Sequence, residues 1–212
     1  VLGSITLVPR SVFRRRGETW VPSALDAVAA EDEVKLTAGS AYGGCGAKLG
    51  RDAFADLAFS IWENAGVTPA VTQHDDSYTG AAYIFIEEAS GNNAIIICPG
   101  VAGTISAADV EARKDLIAGA SVFITQLEQP MDAAHRALEI ARAGGARTIL
   151  NPAPAAEVSR DMLALCDIVT PNESEAEGIT GVAVKSVDDA RRAAEAFLEM
   201  GVGAAVITLG EN

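Results

Sequence analysis

Histidine and cysteine are scarce in this chain, which holds two of the first and three of the second in 212 residues. His74 and His135 have neither a second ligand at metal spacing nor an obvious nucleophile beside them in sequence, so a histidine-based mechanism finds little support. Cys45, Cys98 and Cys166 are odd in number, far apart, and free of any Cys-x-x-Cys or Cys/His spacing. That pattern speaks against a zinc site or a disulfide framework and fits a reducing cytoplasm. Long apolar runs are missing as well: none reaches the roughly 18 residues that a membrane-spanning helix needs. Basic charge is short, with 16 Lys and Arg against 29 Asp and Glu and a net charge of −13, so no broad basic face is available for nucleic acid. Arg10, Arg14, Arg15 and Arg16 crowd near the N-terminus, where nothing apolar and cleavable follows them; they read as solvated surface ahead of an address signal.

What is present is a globular composition, 49% hydrophobic and 21% charged, which supports a single domain over residues 1–212. From about residue 106 the pattern alternates between helical and strand periods. Ser106 and Asp109 open a helix expected to run to about Ala118, and Ser121-Val-Phe-Ile-Thr-Gln-Leu127 is a short β-branched run. Pro130 suits a first helical turn, after which Met131, Ala134, Leu138 and Ala141 recur at helical spacing until Gly144-Gly145. Arg147-Thr-Ile-Leu-Asn151, a helix near 157–165, and Asp167-Ile-Val-Thr170 follow. Ser186 and Asp189 start a helix whose Ala190, Ala193, Ala194, Phe197 and Leu198 are expected to face inward; Gly201 stops it before the strand-like Gly203-Ala-Ala-Val-Ile-Thr-Leu209. Successive βα units imply an α/β fold with a mainly parallel sheet flanked by helices. Earlier in the chain, Ala81–Glu87 and Asn93–Cys98 read as a β-hairpin. An amphipathic helix before it is expected to turn Phe54, Leu57, Ala58, Ile61, Trp62 and Ala65 to one face and to end at Gly66.

In an open parallel sheet, ligands bind outside the carboxyl ends of the strands, where loops converge and helix N-termini aim N–H groups at anions. The candidate rim is therefore Gln126-Leu-Glu128, Asn151-Pro-Ala-Pro154, Thr170-Pro-Asn-Glu-Ser-Glu175 and Thr208-Leu-Gly210. Glu128 stands at a strand-to-helix corner where a carboxylate can accept hydrogen bonds from sugar hydroxyls, or simply complement the positive end of the next helix. Asn172, Glu173 and Glu175 crowd a helix start; such a cluster suits a hydrated Mg²⁺ bridging phosphates, although by itself it reads first as a helix cap. Gly43-Gly-Cys-Gly-Ala-Lys-Leu-Gly50 fails as a phosphate loop, since its Lys follows no Gly and precedes no Ser or Thr. Its glycines also miss the spacing of a dinucleotide fingerprint.

Val1-Leu-Gly-Ser4, Thr79-Gly-Ala-Ala82, Gln126-Leu-Glu128, Asn151-Pro-Ala-Pro154, Thr170-Pro-Asn-Glu-Ser-Glu175 and Ile207-Thr-Leu-Gly210, taken together, closely resemble the ribokinase/phosphofructokinase-B family of carbohydrate kinases. The likeness covers about residues 50–212. It implies a ribokinase-like three-layer α/β sandwich with a small β-lid, in about 1–20 and 79–98. It also implies transfer of the ATP γ-phosphoryl group to a sugar hydroxyl with Mg²⁺ and a monovalent cation such as K⁺. Ribose is the acceptor best supported. Carried over residue by residue, Glu128 would bind the sugar, Asn172 would approach the nucleotide phosphates, Glu175 would organise the Mg²⁺ and its water shell, and Thr208 with Gly210 would line the nucleotide site. Pairing of two copies through their lids is left open by the same resemblance.

The sequence also departs from that family. Ile5, Thr6, Leu7 and Val8 stand where an Asn-x-Asp would contact the sugar, and Gly43-Gly44-Cys45-Gly46-Ala47-Lys48 differs from the family's Gly-Gly-Lys-Gly-Ala-Asn. The family's Gly-Ala-Gly-Asp segment, which supplies the catalytic base, does not occur before Asn212, so no residue is assigned as base. The alternative is a kinase-like protein that binds a sugar or a partner without turnover.

Overall fold

The computed structural model describes residues 52–86 and 93–209, together with four short strands over 6–8, 13–16, 19–22 and 48–50. The main sheet is the frame on which the rim residues hang, and its strands arise where β-branched and apolar residues fall between turn signals. β1 (Thr6–Val8) lies antiparallel at one edge of the main sheet. Beyond β2 (Phe13–Arg16) and β3 (Thr19–Pro22), which pair with each other, β4 (Lys48–Gly50) leads into α1 (Ala53–Asn64) and pairs in parallel with β5 (Thr72–His74). The expected hairpin is present as β6 (Ala81–Ile86) antiparallel to β7 (Asn93–Cys98). A 3₁₀ turn over Gly100–Thr104 then carries the chain to α2 (Ala107–Glu111) and α3 (Lys114–Ala118).

The sequence pattern between Ser106 and Ala118 predicts one helix, and the structure divides it in two. The Arg113 N–H bonds the Val110 carbonyl, three residues back, and this tight turn at Ala112–Arg113 interrupts the α-helical ladder. Val110 and Ile117 stay buried on the same side regardless, because seven residues is close to two turns.

β8 (Val122–Thr125), α4 (Met131–Ala143), β9 (Arg147–Leu150), α5 (Arg160–Leu163), β10 (Ile168–Val169), α6 (Glu173–Thr180), α7 (Val187–Glu199) and β11 (Ala204–Ala205) complete the described chain. The sheet order is β1-β8-β9-β10-β11, with β8 to β11 parallel. Val122 and Phe123 point to opposite faces of β8 and both are buried, so the sheet is covered on both sides there, as a parallel sheet requires. α4 packs on β8 and β9, with α2 and α3 beside it; α7 packs on β11 and α6. One core, including Phe123, Leu138, Leu150, Met162, Val169 and Phe197, joins these layers.

Several sequence expectations are corrected in detail. The last strand is assigned only at Ala204–Ala205, shorter than the expected 203–209, although the Val206 and Thr208 N–H groups still reach the Val169 and Pro171 carbonyls. In α7, Ala193 and Phe197 are buried, but Leu198 is 49% exposed and lies off the inward stripe. In α1 the buried residues are Ala55 and Ala58, packed with Phe59, Trp62 and Val71; Phe54, Leu57 and Ile61 are exposed. Phe59 and Trp62 thus extend the packed face that Ala55 and Ala58 set, and Ala65, expected on it, is exposed. Pro130 is the residue before α4 rather than in its first turn, and Gly144-Gly145 end that helix as expected.

Candidate functional site

Because β8, β9 and β10 run parallel and adjacent, the segments that follow them leave the sheet at one edge. Hydrogen bonds continue the ladder past the strand ends and tie these segments together. The Asn151 N–H reaches the Thr125 carbonyl, the Thr170 N–H the Leu150 carbonyl and the Thr208 N–H the Pro171 carbonyl, each at 2.9 Å. The Leu127 N–H bonds the Ala153 carbonyl, also at 2.9 Å, so Gln126-Leu-Glu128 and Asn151-Pro-Ala-Pro154 are fastened to each other. The Ala153–Pro154 peptide is cis.

Glu128 sits half-buried at the corner between β8 and α4, within this fastened segment. Its neighbour Gln129 is buried and turns its side-chain amide back along the corner. Nε2 donates to the Thr125 hydroxyl oxygen at 2.6 Å and to the Gln126 carbonyl at 2.8 Å. Sequence reasoning passed over Gln129; the signal available was a long amide directly before the proline that precedes α4, where an apolar residue would pack more cheaply.

At the next loop, Asn172 caps α6. Its Oδ1 accepts the Glu175 N–H at 2.8 Å and the Ser174 hydroxyl at 2.9 Å, while Glu175 Oε2 accepts the Asn172 N–H at 2.9 Å. This reciprocal capping box follows from Asn and Glu three residues apart at a helix start. It buries Glu175 to 6% exposure at the positive end of the helix, where its charge is favoured. Thr208 is fixed to the same turn: its hydroxyl lies 3.5 Å from the Pro171 carbonyl that its N–H also contacts. Asn172, Glu175 and Thr208 are thus brought together, while Gly210 lies outside the described residues. So do Val1-Leu-Gly-Ser4 and Gly43 to Ala47.

A second polar junction fastens the base of the hairpin. Asp52 Oδ1 accepts the Ala55 N–H at 3.0 Å and caps α1, while Oδ2 accepts the Thr79 N–H at 2.7 Å. The Gly50 N–H donates to the buried Thr79 hydroxyl at 3.1 Å. Partial desolvation pushes the Asp52 carboxyl up, but the hydrogen bonds from Thr79, Ala55 and Phe54 outweigh it and hold the group below its usual value.

Among the described residues no group of three or more His, Cys, Asp or Glu side chains is placed to hold a metal ion. A buried carboxylate at a helix start fits Mg²⁺ through the ion's water shell, because Mg²⁺ keeps several waters and takes its other ligands from phosphates. His135 lies half-buried on α4, and His74 pairs with Asp76 at 3.6 Å. Cys166 is buried, and desolvation pushes its thiol up to about 12, so it stays protonated and is no nucleophile at neutral pH. No helix among the described residues is long and apolar enough to cross a membrane.

Residues 40–212 match the model of the pfkB family carbohydrate kinases. The chain is 37% identical over 166 residues to a ribokinase of Staphylococcus aureus, an alignment that covers 78% of this chain and 54% of that protein. A ribokinase of Haemophilus influenzae is 33% identical over 224 residues, covering 99% and 71%. Similarity to a bifunctional ribokinase/ribose-5-phosphate isomerase A of Fructilactobacillus sanfranciscensis is 40% over 164 residues, but spans only 30% of that protein. The chain therefore spans about half or less of the length of two of these relatives. In fold it is similar to Arabidopsis thaliana ribokinase complexed with ribose and ATP, with a TM-score of 0.66, 19% identity, and coverage of 99% of this chain and 70% of that one. The fold is accordingly ribokinase-like, and on the match across residues 40–212 the chain belongs to the pfkB family of carbohydrate kinases.

Proposed function

We propose that this chain serves ATP-dependent phosphorylation of a sugar hydroxyl, with ribose converted to ribose 5-phosphate. The observation that carries the reading is the single sheet rim that joins the Glu128 corner to the Asn172–Glu175 capping box. One end offers a carboxylate suited to hydroxyl groups and the other a helix N-terminus suited to phosphates. The names of the relatives, ribokinases from several sources, supply the substrate class.

In this reading Glu128 accepts hydrogen bonds from the sugar and fixes its orientation. The sugar hydroxyl oxygen attacks the γ-phosphorus, the bond to the β–γ bridging oxygen breaks, ADP leaves and the hydroxyl proton is released. Asn172 approaches the nucleotide phosphates, Glu175 organises the water shell of Mg²⁺, and Thr208 with Gly210 lines the nucleotide. Bound Mg²⁺ supplies charge neutralisation on the phosphates. A monovalent cation such as K⁺ as activator, a single domain whose lid includes residues 79–98, a cytoplasmic setting and pairing of two copies through their lids belong to the same reading.

The test is ADP release from Mg-ATP on this chain with and without D-ribose and K⁺, beside direct titration of D-ribose. Ribose-dependent ADP release is expected. Glu128→Ala should raise the KM for ribose at least tenfold with a smaller change in kcat, the mark of a binding contact. Glu175→Ala should lower kcat by about 10²-fold, through loss of the carboxylate that orders the water shell of Mg²⁺. Absence of both ribose binding and ribose-dependent ADP release would overturn the reading.

A further inference from the structure

Gln129 is a costly residue for the place it occupies. It is 5% exposed, its Oε1 is buried with no hydrogen-bond partner among the described residues, and an apolar side chain of similar size would fill the same space without that penalty. Nearly all of what the amide gains comes from Nε2, which bridges the Thr125 hydroxyl and the Gln126 carbonyl at 2.6 and 2.8 Å. The Thr125 hydroxyl itself contacts the same Gln126 carbonyl at 3.3 Å, so three groups close a small ring across the corner where β8 leaves the sheet. On the outer side, the corner is held by the Leu127 N–H to the Ala153 carbonyl. The one peptide that joins Gln126 to Leu127 is thereby gripped at both its carbonyl and its N–H, and Glu128 follows directly after Leu127.

We infer that Gln129 is a positioning residue for Glu128: its amide clamps the Gln126 peptide, and so sets the direction from which the Glu128 carboxylate meets the sugar. The inference rests on the reading of Glu128 as the sugar ligand. A carboxylate that must accept from particular hydroxyls is sensitive to small displacements, and the rotation of one peptide at Gln126 is the freedom that would cause them. The clamp removes that freedom from inside the protein, without Gln129 touching the sugar.

The experiment is a double-mutant cycle read by calorimetric titration of D-ribose into the chain and its Gln129→Met, Glu128→Gln and doubly substituted variants, with hydrogen exchange at the Leu127 amide in each. Met keeps the length and volume of Gln and removes its donors. Gln129→Met is expected to weaken ribose binding 5- to 10-fold in the unsubstituted background and less than twofold beside Glu128→Gln, and to speed exchange at Leu127. Glu128→Gln should weaken binding while leaving that exchange rate unchanged. Equal weakening in both backgrounds, or no weakening with Glu128→Gln still effective, overturns the positioning role alone. Absence of ribose binding in the unsubstituted chain, or indifference to Glu128→Gln, overturns the sugar-site reading and this inference with it. Should Gln129→Met fail to fold, Thr125→Val removes one arm of the clamp with Gln129 in place. It should weaken binding two- to threefold and speed Leu127 exchange, and no change in either overturns the role.

Discussion

The Asp52 carboxylate does two things with its two oxygens: one caps α1 and the other holds the Thr79 N–H at the base of the hairpin. Burial raises its pKa and the hydrogen bonds lower it further than burial raises it, so the folded value lies below the unfolded one. A depressed carboxylate contributes stability that is complete above its unfolded pKa and is lost as the pH falls through the folded one. Urea denaturation should therefore show Asp52→Ala to be less stable at pH 7 by about 1–2 kcal/mol, the range of a lost N-cap. The deficit should shrink as the pH is taken below about 4, where the native carboxylate becomes protonated. A deficit independent of pH would assign Asp52 a packing role instead. Asp52 was not legible as a site residue in the sequence, because its partner Thr79 lies 27 positions away and only the fold brings the two together.

Among the elements, α6 shows most directly how a sequence signal becomes a site. Asn172 and Glu175 were readable both as a cap and as a phosphate-facing cluster, and the structure builds the cap completely: each side chain takes the other's N–H. The cap is also what sets Glu175 beside the Pro171 turn that Thr208 contacts. Asn172→Ala is expected to cost about 1 kcal/mol in thermal or urea unfolding. Asn172→Asp, which keeps an acceptor and adds charge at the positive helix end, should keep most of the stability. Equal losses in the two variants would show that the capping geometry is not what matters. The parallel order of β8 to β11 was legible from alternating periods, since each strand–helix unit is local. The break at Arg113 and the burial of Ala55 rather than Phe54 were not, because periodicity reports which face is apolar and says nothing about how closely a neighbour approaches.

At the scale of the molecule, apolar burial is unevenly distributed. The core that runs from Ile105 to Val202 holds fully buried Phe123, Leu138, Leu150, Val169 and Phe197. In the hairpin, by contrast, Tyr83, Phe85, Ile86, Ile95 and Ile96 are each at least half exposed. Successive residues of a strand point to opposite faces, so Phe85 with Ile86 and Ile95 with Ile96 leave both sides of the ribbon open to water. Opening free energies follow buried contacts, so amide exchange should be slowest in β8, β9 and β10 and should approach the global unfolding rate there. Amides of β6 and β7 should exchange through a much smaller opening. Equal protection of the hairpin and the main sheet would overturn this division. The hairpin was foreseeable from two apolar runs around a polar turn; its exposure was not, since the same runs would suit a buried ribbon.

The two glycines that close α4 answer to different demands. A Cβ at Gly144 would fall 2.4 Å from the Ala118 carbonyl oxygen, within the end of α3, whereas Gly145 has open space around it and a backbone φ of 81°. The first is a matter of volume and the second of handedness. Over long divergence the two positions should therefore drift by separate rules: Asn is an admissible replacement at 145, because it tolerates left-handed backbone, while at 144 no side chain is admissible unless α3 itself shifts. A doublet that looks redundant in the sequence thus records two independent constraints, one on the chain's own torsion and one on the distance between neighbouring helix ends.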